Sequence, residues 1–140
     1  MNIRPIVKEI LLDTSVSKVW KAITNKNDMK QWYFDLSDFK AQVGFEFKFE
    51  GGKDDRRYIH LCRITEVIPE KKLSYTWKYE GYPGSSLVTF ELFQEEDKTR
   101  LRLTHEKLET LGDNPDFARE NFIGGWTYLI EKSIKEYLEN

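Results

Sequence analysis

A single cysteine, two histidines, two methionines and four prolines are spread over 140 residues. Cys62, being alone, excludes an intramolecular disulfide and fits a reducing compartment. No apolar run approaches membrane-spanning length, and the N-terminus lacks the apolar stretch of a signal peptide, so a cytoplasmic protein is expected. Excess charge of either sign is also missing: 22 basic residues face 24 acidic ones, for a formal net charge of -2. No overall field then favours nucleic acid or an anionic membrane, and neither is expected as a partner. A Gly-rich phosphate loop, paired cysteines and a nucleophile elbow are all absent, so no catalytic set and no cofactor are expected. The length suits one domain, residues 1-140, with one core.

Aromatic residues, by contrast, are plentiful. Four Trp, seven Tyr and nine Phe make up 14% of the chain and must be stored in a core or around a cavity. The stretch from Asn114 to Leu138 organises the rest. Asn114 can cap a helix, Pro115 suits its first position and Asp116 complements the dipole, so a helix is predicted to start there. Phe122, Trp126, Leu129, Ile130, Ser133 and Tyr137 recur at spacings of three and four, giving one face to bury. Gly124 and Gly125 weaken that helix, which implies either close approach of a neighbouring backbone or room left for something else.

Ahead of it, Ile6 to Leu12 reads as a strand. Thr14 or Ser15 then caps a short helix carrying Val16, Val19, Trp20 and Ile23, and a second helical turn runs from Asn27 or Asp28 to Trp32. Phe39, Ala41 and Val43 alternate with polar residues, as do Phe45, Phe47 and Phe49 past Gly44, which predicts two strands. A turn is predicted at Gly51 to Asp55. Strands follow at Tyr58 to Val67, Leu73 to Tyr79, Leu87 to Phe93 and Thr99 to Glu106. The pattern is α+β: an antiparallel sheet of about six strands with two short helices after the first strand and one long C-terminal helix.

Period-two alternation assigns the faces. Tyr58, His60, Cys62 and Ile64 share one side of their strand, as do Tyr75, Trp77 and Tyr79, then Val88, Phe90 and Leu92, then Leu101, Leu103 and His105. A curved sheet wrapped round Trp126 would enclose an apolar pocket with a few polar groups, the usual character of a small-molecule site. Candidate lining residues are Phe47, His60, Cys62, Tyr75, Trp77, Phe90, Leu103, His105, Phe122, Trp126 and Ile130. For any one ring a plain core role competes with ligand contact, because buried aromatics are common.

Several phrases in this order resemble a known family. They are Val19-Trp20-Lys21-Ala22-Ile23-Thr24 with Trp32; Ile64-Thr65-Glu66-Val67-Ile68-Pro69 followed by Leu73-Ser74-Tyr75-Thr76-Trp77; Val88-Thr89-Phe90-Glu91-Leu92 with Thr99-Arg100-Leu101-Arg102-Leu103-Thr104-His105; and Gly125-Trp126 with Leu129 and Tyr137-Leu138. From about Ile10 to Leu138 the chain is similar to the SRPBCC, or START-like, superfamily, in the branch named for the activator of the heat-shock-protein ATPase. The resemblance implies a helix-grip fold, a curved sheet gripping the C-terminal helix around a cavity. Superfamily members serve as lipid carriers, metabolite binders, cyclases and co-chaperone domains, so the fold does not choose among these activities. The co-chaperone's separate N-terminal domain has no counterpart in these residues, which weighs against ATPase activation, and Cys62 stands where the branch is expected to carry glycine.

His60 and His105 share the inward register and are the one pair suited to titrate near neutral pH, as a polar anchor or acid/base pair. The competing reading is two hydrogen-bonded histidines without a role. A metal site is not expected from two histidines and one cysteine. Cys62 as a nucleophile would need a depressed pKa and access, whereas an inward lone cysteine is usually a small core residue. The cluster Lys53 to Arg57 and the charges Glu91, Arg100 and Arg102 read as solvated surface. The leading expectation is binding of a small hydrophobic or amphipathic molecule without chemistry. An interaction module acting on a chaperone or partner enzyme comes second, and a cyclase- or hydrolase-type enzyme using a histidine or cavity tyrosine third.

Overall fold

The computed structural model describes residues 3–53, 56–112 and 114–139. Strand β1 (Ile6–Leu12) is followed by helix α1 (Val16–Thr24), whose cap is Ser15, accepting the Lys18 N–H. Helix α2 (Lys26–Trp32) follows at once, capped by Asn25, whose side chain accepts the Asp28 N–H. It starts earlier than predicted, because Asn25 serves as C-cap of α1 and N-cap of α2 together. Then come β2 (Glu46–Lys53), β3 (Arg56–Ile68), β4 (Lys72–Tyr79), β5 (Ser86–Glu95) and β6 (Lys98–Glu106).

The six strands form one curved antiparallel sheet in the order β1-β6-β5-β4-β3-β2. Since β1 and β2 hold opposite edges, the segment carrying α1 and α2 crosses the whole sheet. Register is set as alternation requires, with Phe47 opposite Cys62, Phe49 opposite His60, Val88 opposite His105 and Phe90 opposite Leu103. A bulge between Ile64 and Glu66 shifts the β3–β4 register, a device that bends a sheet and strengthens its twist.

Three expectations need correction. Residues 39–43 form no strand: Phe39 is buried, but Ala41 and Val43 face solvent, so the alternation there follows a single anchoring ring rather than a pleat. Gly51 and Gly52 belong to β2, paired with Tyr58 and Arg57, rather than to a turn. Asp54 and Asp55 of that predicted turn lie outside the described residues, and of the Lys53–Arg57 cluster only the Arg57 side chain is described.

The third concerns the long helix. Asn114 does cap a turn, accepting the Asp116 N–H at 2.9 Å, but this is a short 3-10 turn, Pro115–Phe117. Ala118 is extended, and the helix α3 (Arg119–Tyr128) starts after it without a side-chain cap. A π turn at Leu129–Ser133 then leads into α4 (Ile134–Glu139). Within the π turn the Ser133 hydroxyl donates to the Trp32 carbonyl at 2.7 Å, tying the helix to α2. The core lies between sheet and helices, where Leu73, Tyr75, Phe90, Leu101, Leu103, Ile130 and Ile134 are almost fully buried. Among the described residues no helix is long and apolar enough to cross a membrane.

Candidate functional site

Strand β4 shows how local pattern builds the site. Tyr75, Trp77 and Tyr79 alternate inward and are all buried, with Tyr75 over the middle of the sheet and Tyr79 at the strand's end. Beyond that end the 3-10 turn lays Phe117 on Tyr79, ring centroids 4.0 Å apart and 6° from parallel. Tyr58 packs edge-on to Phe117 at 5.0 Å and donates its hydroxyl to the Asp116 carboxylate, which fastens the turn to β3. That bond holds the Tyr58 phenol above its ordinary pKa.

Between this aromatic end of the sheet and α3 lies a cleft of about 240 Å³. Gly51 and Gly52 of β2, Tyr58 and His60 of β3, and Trp77 and Tyr79 of β4 line the sheet side. Asp116, Phe117, Asn121, Phe122, Gly125, Trp126 and Leu129 line the other, and Phe34, just after α2, completes the wall. A Cβ built on Gly125 would meet nothing within 4 Å, so of the two readings of the glycine pair, space rather than close backbone approach applies. A larger groove of about 560 Å³ lies against the outward register of β2 to β4, bordered by Glu46, Lys48, Arg63, Thr76 and Lys78. Its charged border in water makes it a solvated sheet face rather than an apolar site.

Of the residues expected to line a pocket, the cleft brings together His60, Trp77, Phe122 and Trp126. Tyr75, Phe90, Leu103 and Ile130 are buried in the core outside the cleft, and so are Phe47 and Cys62, with Phe47 packed edge-on to Tyr75 at 5.1 Å. His105 is fully buried behind Trp126. Phe34, Tyr58, Tyr79, Phe117 and Gly125 line the cleft in addition to the residues expected there. Tyr79 lay in the inward register, so alternation already pointed to it, whereas Phe117 sits in a turn where alternation says nothing.

The two histidines do not form an acid/base pair; each packs separately on Trp77, at 4.9 Å for His60 and 5.4 Å for His105. Trp126 donates its indole N–H to His105 Nδ1 at 3.0 Å, so the His105 proton resides on Nε2, which faces Ser86 Oγ at 2.8 Å. Ser86 in turn donates to the Trp77 carbonyl at 2.8 Å. In this tautomer Nε2 is a donor and cannot take a proton from Ser86. Burial pulls the His105 pKa down to about 3. Burial likewise pulls His60 down to about 4, against the opposing pull of the Tyr58 carbonyl on Nδ1. Both are neutral at pH 7. Burial pushes the Cys62 thiol well up, away from the thiolate a nucleophile needs. Among the described residues no three His, Cys, Asp or Glu side chains converge as metal ligands.

The family model described as activator of Hsp90 ATPase homolog 1-like protein matches residues 13–139. Among solved structures, protein MLL2253 from Mesorhizobium loti is 28% identical over 97% of each chain, with a TM-score of 0.79. Protein BH1534 from Bacillus halodurans is 26% identical over 99% of each chain, with a TM-score of 0.77. The Aha1 dimer from Colwellia psychrerythraea is 24% identical over 98% of this chain and 97% of that one, with a TM-score of 0.74, a likeness of fold. No curated protein matches the chain.

Proposed function

The chain belongs to the family of activator of Hsp90 ATPase homolog 1-like proteins, and within that fold we propose that it binds a small hydrophobic molecule in the cleft between the sheet and α3. The observation that carries the reading is the wall itself. Phe34, Tyr58, Trp77, Tyr79, Phe117, Phe122 and Trp126 put seven benzene- or indole-type rings around one space, and Gly125 leaves that space open from the helix side. Apolar walls with few polar groups are how small-molecule sites are built. At about 240 Å³ the cleft is smaller than the usual drug-sized pocket, so the buried part of the ligand is on the order of ten non-hydrogen atoms, taking about 30 Å³ per water-sized unit as the yardstick. His60, Trp77, Phe122 and Trp126 are the contacts proposed from sequence that border this space.

The test is an NMR titration of the amide spectrum with fatty acids, sterols, flavonoids and isoprenoids, run on the unmodified chain and on Gly125→Leu. A Cβ there meets nothing within 4 Å, so the substitution can be made without a clash at the helix backbone while its larger side chain takes up cleft space. A true ligand moves the amides of Gly51, Gly52 and Gly125 in the unmodified chain and leaves Gly125→Leu unmoved. A screen in which those amides never shift removes the proposal.

Family membership supports a second reading, an interaction module that acts on an Hsp90-type chaperone. Its measurement is the chaperone's ATPase rate with and without the chain. A rate unchanged at saturating chain would eliminate it.

A further inference from the structure

The polar hydrogens on the cleft wall are mostly spent inside the protein. Trp126 Nε1–H goes to His105, Trp77 Nε1–H to the Tyr79 hydroxyl oxygen at 2.9 Å, and Tyr58 O–H to Asp116. His60 Nδ1 faces the Tyr58 carbonyl at 3.1 Å. Tyr79 differs. An indole N–H can only donate, so the Tyr79 oxygen is the acceptor of that bond and its own hydrogen remains to be placed. Among the described ring residues of the wall, the Tyr79 O–H is the one donor that meets no acceptor in the protein. Tyr79 is 5% exposed and lines the cleft, so the hydrogen is available to a molecule bound there in place of water.

Resting on the binding reading above, we propose that Tyr79 is the polar anchor of the cleft: its hydroxyl donates to an acceptor oxygen on a flat, uncharged aromatic ligand of one or two rings. The donated Trp77 N–H polarises the hydroxyl and strengthens it as a donor. The stack on Phe117 holds the phenol ring in place, so the hydroxyl swings about one bond only. Ring walls favour a planar partner in offset or edge contact. An uncharged acceptor fits because His60 is held neutral, no lysine or arginine is among the described residues of the wall, and Asp116 is on it, so an anionic group would be buried beside a carboxylate and without a partner.

The experiment pairs 1-acetylnaphthalene, which carries a carbonyl, with 1-ethylnaphthalene, which keeps the ring system and the two-carbon substituent but lacks the oxygen and has no acceptor. Affinities are read by quenching of tryptophan fluorescence and by amide shifts, on the unmodified chain and on Tyr79→Phe. The acetyl compound is expected to bind about tenfold tighter than the ethyl compound to the unmodified chain, and about equally to Tyr79→Phe. Its carbonyl stretch, measured by infrared difference spectroscopy, should move to lower frequency on binding to the unmodified chain, a readout that needs no variant should Tyr79→Phe fail to fold. Equal affinity of the two probes for the unmodified chain, or an unshifted carbonyl, overturns the anchor and leaves the cleft reading standing. An equal loss of both probes in Tyr79→Phe assigns the residue a merely structural role and also overturns it. Failure of both probes to move any cleft amide, alongside a blank ligand screen, removes the cleft reading and the anchor together.

Discussion

Trp126 donates its indole N–H to Nδ1 of the fully buried His105 at 3.0 Å, which fixes the imidazole as a neutral ring with its proton on Nε2. The bond has a consequence for acid stability. Burial lowers the folded-state pKa of His105 from 6.5 to about 3 and that of His60 from 6.5 to about 4. The unfolded chain binds these protons near pH 6.5 and the folded chain does not, so stability is full above about pH 6.5 and falls as the pH drops towards the folded values. In the window from about pH 6 to 5, above the ordinary carboxylate range, the slope should approach about 1.4 kcal/mol per pH unit for each histidine. Urea denaturation at half-unit pH steps measures it. A flat profile there, or a His105 ring resonance that titrates near its ordinary value, would contradict the assignment.

The glycine pair in α3 separates stability from binding. Gly124 and Gly125 are both helical, and a Cβ at either would meet nothing within 4 Å. Gly124→Ala should therefore stabilise the chain by about 1 kcal/mol through helix propensity alone, with unchanged ligand affinity. Gly125→Ala should give a similar gain in stability, while its methyl enters the cleft and weakens binding. Thermal melts and a titration on each variant check the two together; a destabilised Gly124→Ala would mean that close packing, not open space, explains the pair.

Gly84, between β4 and β5, makes the opposite case. Its φ is +90°, and a Cβ there would sit 1.7 Å from the Thr110 carbonyl oxygen. Thr110 cannot retreat, since its hydroxyl donates to the Ser85 carbonyl at 2.9 Å and accepts the Ser85 N–H at 3.0 Å. Gly84→Ala should cost well over 1 kcal/mol, adding a backbone collision to the left-handed penalty. Gly44→Ala, at a φ of +91° with open space around it, should cost only the penalty of about 1 to 2 kcal/mol. Equal losses in the two variants would show that the Thr110 contact is not a constraint.

Much of the fold is legible in the sequence because an antiparallel sheet with one wet face writes itself as alternation. The run Ile6 to Leu12 and the registers of Tyr75, Trp77 and Tyr79 follow directly. Alternation fails where one ring alone is anchored, as at Phe39, and where a cap opens a 3-10 turn rather than a helix, as at Asn114. The cleft is only partly legible for a different reason. Period two tells which side of a strand a residue faces, but not how far along the sheet the helix closes against it. Tyr75 and Tyr79 share a face, yet one is core and the other lines the cleft, and the difference is made by Phe117, brought from 38 positions later in the chain by the turn that Asp116 fastens to Tyr58.

The last prediction concerns a buried pair deep in the core. The hydroxyls of Tyr33 and Tyr75 are 2.6 Å apart, both residues are buried, and burial raises both phenol pKa values. Replacing either by phenylalanine removes one partner and leaves the other's hydroxyl without it, which should cost about 1 to 3 kcal/mol. Replacing both removes the polar atoms altogether and keeps the rings, so the double variant should lose less than the two single losses added, with a coupling of about 0.5 to 3 kcal/mol. Tyr33 also stacks near Trp126 at 6.1 Å and 21°, so the rings must stay while the hydroxyls go, which is why phenylalanine is the substitution to use. Denaturation midpoints of the three variants complete the cycle. Strictly additive losses would mean that each hydroxyl is satisfied independently, and that the pair does not act as a unit in holding α2 to the sheet.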